Sequence, residues 1–148
     1  MNKTMMIIFI LVLSLQAPKT TNDNEQYFTQ LSNRIWKSIL NVETNNKHYR
    51  TNGRLVVNKE SGAVGAAQLM TNTFIWVINN SKSYHLEVSD ITNELINRWA
   101  GEYYWTYLFY DRCQTWKKAI SSYNSGPNTD KFMTDYYTKV TNDITKNY

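Results

Sequence analysis

A single cysteine, Cys113, occurs in 148 residues. One thiol closes no intrachain disulfide, so the fold must be held by packing. It also excludes a zinc site built on several thiolates, and "YDRCQTW" sets no histidine beside the sulfur to activate it as a nucleophile. His48 and His85 are the only histidines; neither has a ligand partner at helical spacing, so no metal or other cofactor is expected and both read as solvated side chains. Basic blocks are missing as well. The net charge of +4 comes from Lys and Arg scattered singly, which argues against nucleic acid as a partner. With two prolines and five glycines there is no Pro- or Gly-rich linker, no repeat and no low-complexity stretch, and the length suits one domain.

What the chain does carry is aromatic: five Trp and 11 Tyr, within an apolar fraction of 42%. Rings fill cores, and they also form flat platforms for sugars or bases. At the N-terminus, Lys3 precedes the apolar run "MMIIFILVLSL", too short to span a bilayer comfortably, with the small residue Ala17 following it. Residues 1–17 are therefore expected to be a secretory signal peptide, with an uncleaved membrane anchor as the alternative, 18–30 a polar leader, and 31–148 the domain. Such a chain is exported, to the periplasm, the cell envelope or the exterior.

Apolar periodicity predicts a mainly α domain. Phe28, Leu31, Ile35 and Ile39 recur at three and four, with Trp36 and Leu40 widening the stripe. Polar residues and Gly53 end that helix, and "LVV" at 55–57 is a candidate short strand in a small β or loop flap. A second helix is expected from about Gly65 to Ile78. The third carries Ile91, Leu95, Trp99, Tyr103 and Tyr107 on one face with Asp90 as its cap. The fourth is marked by Trp116, Ala119, Ile120 and Tyr123 and halted by Gly126 and Pro127, and the last by Phe132, Tyr136, Val140 and Ile144.

Two glutamates compete for attention. Glu43 follows Ile39 by four and Trp36 by seven, on the apolar face and near a helix C-terminus. Desolvation and the carbonyl end of the helix both disfavour its charge, so its carboxyl should stay protonated to higher pH and be able to donate. On periodicity alone it reads equally well as a surface glutamate where the helix frays. Glu60 sits among Asn58, Lys59, Ser61 and Gly62 in a solvated turn, beside a cation that favours ionisation. Just beyond Glu60, "GAVGAAQLM" has almost no side-chain bulk ahead of Gln68, which suits close helix packing and ligand approach alike. Gln68 supplies a donor and an acceptor, as a sugar's hydroxyl and acetamido groups require.

These pieces resemble, in order, the motifs of the soluble, goose-lysozyme-like lytic transglycosylases. "ILNVETNN" matches the helix end that carries the family's catalytic Glu. Gly62, Ala63, Gly65, Gln68 and Met70 match Gly-Ala-x-Gly-x-x-Gln-x-Met, with Thr73 at the threonine position beyond. Asn97, Gly101 and Tyr104 match Asn-x-x-x-Gly-x-x-Tyr, and Tyr123, Asn124, Gly126 and Pro127 match Ala-Tyr-Asn-x-Gly-Pro. The resemblance covers about residues 31–130. Thr44 stands where the family usually has Ser, Thr71 where Pro is frequent, and Ser122 where Ala precedes the Tyr; none of these removes a group the reaction needs.

The resemblance implies an α+β, lysozyme-like fold and cleavage of peptidoglycan glycan strands without water, with Glu43 as the single acid and base. It implies substrate binding by Thr44, Gln68, Met70, Tyr123 and Asn124. Glu60 stands just before the second motif, too close to Gln68 for that acid. Wall remodelling, passage of a secretion or conjugation apparatus, and phage entry all use this chemistry. A muramidase that uses water, with Glu60 or Asp90 as its base, and a non-catalytic glycan-binding assembly factor are the alternatives.

Overall fold

The computed structural model describes residues 20–113, 115–128 and 132–148. The expected signal segment, 1–17, lies outside the described residues. The chain divides into two units between Leu31 and Ser32, and α1, Thr20–Thr44, carries the division. Within the second unit, Ile35, Trp36, Ile39 and Leu40 are buried, as the three-and-four spacing predicts. Asn45 and Asn46 then take φ of 53° and 59°, left-handed values that asparagine tolerates. The Asn46 N–H reaches back to the Leu40 carbonyl at 3.0 Å, which closes the helix one residue after Glu43 has been placed on its last turn.

The flap that follows is loop-rich, as expected, but its β structure is thinner than a strand. Residue pairs Tyr49 and Leu55, Val57 and Val64, and Val64 and Leu69 form isolated antiparallel bridges. Val57 is exposed, so the "LVV" run lacks the second covered face that would extend pairing. The helix expected from Gly65 begins later. Gly65 and Gln68 have φ of 74° and 48°, neither of them helical, and the Val64 and Leu69 backbones exchange hydrogen bonds at 3.0 Å across the turn. Met70, extended at φ −74° and ψ 144°, then starts α2, Thr71–Ser81.

A short 3₁₀ turn, Val88–Thr92, precedes α3, Glu94–Thr106. Asp90 was expected to cap the long third helix; its carboxylate instead accepts the Glu87 N–H at 2.8 Å and caps the 3₁₀ turn. Asn93 caps α3, accepting from the Leu95 and Ile96 N–H groups. The buried face of α3 also differs from the expected one. Leu95 is 79% exposed, and Asn97, Ala100, Gly101, Tyr104 and Trp105 are the residues that go inside. Small side chains decide this: a Cβ on Gly101 would stand 2.5 Å from the Ala67 Cβ and 2.7 Å from Trp36, so α3 approaches its neighbours on the side with the least bulk.

Beyond α3 the chain makes a π-helical turn, Tyr107–Arg112. α4, Trp116–Ser125, is capped by Thr115 and ends at Gly126. α5, Thr134–Asn147, buries Tyr136 and Val140. Phe132 precedes this helix and is exposed rather than part of its core stripe. α2 packs on α3 and α4 on α5, and the Trp105 indole donates to the Ser32 hydroxyl at 3.0 Å. The second unit is thus mainly α with a small flap. No helix among the described residues is long and apolar enough to cross a membrane.

Candidate active site

Four segments separated in sequence meet around one cleft of about 370 Å³. The end of α1 contributes Glu43, the flap and the start of α2 contribute Asn58, Ser61, Gln68, Met70 and Thr73, and the helical side contributes Tyr104, Tyr123 and Asn124. Among the described residues, Glu43 is the one carboxylate on this wall. Glu60 is exposed in the flap turn, where its N–H donates to Asn58 Oδ1 at 2.9 Å. Asp90 is engaged with Glu87 as a cap, away from the cleft lining.

Burial raises the carboxyl pKa of Glu43 above its usual value, and a hydrogen bond from Tyr136 works in the opposite direction. Tyr136 Oη donates to Glu43 Oε1 at 2.6 Å, a short contact of the charge-assisted kind. Burial, followed by the nearby Glu43 charge, pushes the phenols of Tyr123 and Tyr136 well up. Tyr104 is pushed up to about 12, mainly by burial. These three rings therefore present neutral hydroxyls, and none supplies a second anion to the cleft. Replacing Tyr136 with Phe removes the one contact that favours the carboxylate, so the carboxyl pKa of Glu43 should move further up. Following the Glu43 carboxyl carbon by NMR across pH should show its titration moved to higher pH in the variant.

Tyr136 carries no motif signal, only a place on the α5 stripe. What could have singled it out is its polar tip: a tyrosine at a core position needs a partner for its hydroxyl, and the carboxyl of Glu43, placed on an apolar face, needs a donor.

Tyr123 Oη donates to the Ala67 carbonyl at 2.9 Å, and its ring lies 5.9 Å from Trp36 and 5.7 Å from Tyr104. Its hydroxyl proton is thus committed to the loop, and its oxygen remains an acceptor. Gln68 Nε2 donates to the Gly65 carbonyl at 2.8 Å, which leaves the amide oxygen and the second N–H for other partners. Thr44 is not on the cleft wall. Its hydroxyl donates to the Ala66 carbonyl and accepts from the Lys47 N–H, both at 3.1 Å, so it ties the end of α1 to the Gly-Ala loop instead of reaching toward substrate.

Two further residues hold that loop. Asn97 is fully buried; its Oδ1 accepts the Ala67 N–H at 3.0 Å and its Nδ2 donates to the Val64 and Ile91 carbonyls. His48, expected to be solvated, is 2% exposed. Its Nδ1 accepts the Ala66 N–H at 3.1 Å and its Nε2 lies 2.8 Å from the Thr92 carbonyl. A carbonyl only accepts, so the neutral ring carries its proton on Nε2. Nothing in the local sequence marked this histidine as buried, because its partners are main-chain groups 18 and 44 residues away. His48→Ala strands both and should destabilise the fold by about 2–4 kcal/mol, measurable by urea unfolding. Among the described residues no group of three or more His, Cys, Asp or Glu is placed to hold a metal ion.

No curated protein and no solved structure matches the chain. The family described as the transglycosylase SLT domain, however, matches residues 22–144, a span that contains every segment contributing to the cleft. By that match, the chain belongs to the soluble lytic transglycosylase catalytic-domain family.

Proposed function

We propose that the protein cleaves the β-1,4 bond between N-acetylmuramic acid and N-acetylglucosamine without water, with Glu43 as both acid and base. The Glu43 carboxyl donates its proton to the glycosidic oxygen as the bond to the muramoyl C1 breaks, and the N-acetylglucosamine leaves with a free hydroxyl. The carboxylate so formed takes the proton of the muramoyl C6 hydroxyl while O6 bonds to C1. A 1,6-anhydro ring results, Glu43 is protonated again, and no water is consumed.

The observation that carries this reading is the setting of Glu43: a desolvated acid, alone among carboxylates on the described cleft wall. A hydrolytic glycosidase needs a second carboxyl roughly 5–9.5 Å from the first to act as nucleophile or to activate water. Neither Glu60 nor Asp90 lines the cleft. Gln68 and Asn124 suit the acetamido and hydroxyl groups of the sugars, Tyr123 supplies an acceptor beside the reacting centre, and Met70 forms an adaptable apolar wall. In this reading the domain of residues 31–148 acts on the wall after export directed by residues 1–17, whether for wall remodelling or for passage of a secretion, conjugation or phage apparatus.

Mass analysis of digested cell wall tests the chemistry. Anhydro products are lighter by one water than hydrolysed ones; products carrying that extra water would identify a muramidase and overturn the single-residue mechanism.

A further inference from the structure

A second cavity, of about 300 Å³, lies between α2 and the end of α3 and is lined by Trp76, Asn80, Tyr103, Thr106, Tyr107 and Asp111. Its size falls at the low end of small-molecule sites. Trp76 gathers the rings: its centroid lies 4.5 Å from Tyr107, 5.9 Å from Tyr104 and 6.3 Å from Tyr103. Trp76, Tyr103 and Tyr107 are only half-buried, and Asn80, Thr106 and Asp111 are exposed. A cluster of ring faces open to solvent and edged by an amide, a hydroxyl and a carboxylate is unlike a core. It matches a sugar ring, whose C–H face stacks on aromatics and whose edge exchanges hydrogen bonds.

This cavity lies beside the cleft, although the two share no lining residue. Tyr104 belongs to the cleft wall and to the ring cluster. Thr73, also on the cleft wall, stands one turn before Trp76 on α2, and Asn80 stands a further turn on, so the wall extends by about 10 Å at the helical rise. We propose that this pocket is a distal sugar subsite, which binds an N-acetylhexosamine residue of a glycan strand that leaves the cleft past Thr73. The inference rests on the glycan-cleaving reading above. A peptide stem is the poorer occupant: its carboxylates would meet Asp111, and no Lys or Arg lines the pocket.

The test uses the full chain with Glu43→Gln to prevent cleavage, and peptide-free N-acetylglucosamine oligomers titrated by calorimetry. The hexamer should bind about tenfold more tightly than the trimer, the scale of one stacked ring with its hydrogen bonds. Asp111→Ala and Trp76→Leu should each remove most of that advantage, with the loss confined to the hexamer; Asp111 is exposed, so its replacement leaves the packing untouched. A hexamer advantage that survives both substitutions overturns the subsite. A loss seen only with strands that carry peptides overturns it too, in favour of a peptide pocket. If the wild-type protein cleaves purified sacculi while the length dependence is absent, the subsite alone fails. If it neither cleaves sacculi nor binds either oligomer, the catalytic reading falls and the subsite with it.

Discussion

Glu43→Gln is expected to lower the turnover of peptidoglycan by about 10²–10⁴-fold, the range for loss of a positioned acid and base, while glycan binding survives. Glu60→Gln should be close to wild type, since that side chain is exposed and off the cleft. Stability moves the opposite way from activity. Burial raises the Glu43 pKa in the folded state, so between the ordinary carboxyl value and the raised one the native protein holds more protons than the unfolded chain, and stability falls as pH rises through that window. Below the ordinary value the acid is protonated in both states and the penalty vanishes. Gln is neutral throughout and keeps an oxygen to accept from Tyr136. The variant should therefore melt higher than wild type at neutral pH and level with it in acid. A variant that melts lower at neutral pH would mean that Glu43 is not desolvated. In the proposed mechanism Glu43 must be protonated to donate, so wild-type activity should decline as pH rises past the raised value.

Gly65→Ala is expected to be the most damaging small substitution, at about 2–5 kcal/mol from left-handed strain and overpacking together, a large fraction of the stability of an ordinary domain. Gly65 sits at φ +74°, and a Cβ there would stand 2.5 Å from His48 Cε1 and 2.6 Å from Asn97 Oδ1. Those two side chains hold the Ala66 and Ala67 backbone. Displacing them shifts the turn that carries Gln68, so activity should fall with stability. Gly62 has the same φ but nothing within 4 Å of its missing Cβ, and Gly62→Ala should cost only about 1 kcal/mol. Urea unfolding of the pair separates the two contributions: equal losses would mean that the contacts at Gly65 carry no weight.

The first helix was legible because its stripe is strongly periodic, and Glu43 stood out because a charge interrupts that stripe at its end. The flap and the Gly-Ala loop were less so. A run of small residues is compatible with a helix by composition, and only the positive φ values at Gly65 and Gln68 tell that it turns instead. In α3 two faces at helical spacing compete, Leu95–Trp99–Tyr103 and Asn97–Gly101–Trp105. Apolarity favours the first, but the second goes inside because Gly101 permits close approach and Asn97 can satisfy three main-chain groups at once. The burial of His48, read as solvated, and the contact of Tyr136 with Glu43 were not legible for a related reason: both are set by partners distant in the chain.

Local order along the chain was enough to determine the mainly α class, the last turn on which the acid sits, and the succession of motifs that resembles the transglycosylases, since periodicity and turn chemistry act between near neighbours. Tertiary packing alone decided the neutral hydroxyl that grips the acid, the buried histidine and asparagine that hold the loop, and the opening of an aromatic pocket beyond the cleft. Hydrogen bonds and desolvation depend on which atoms meet in space, and that meeting is written in no single stretch of residues.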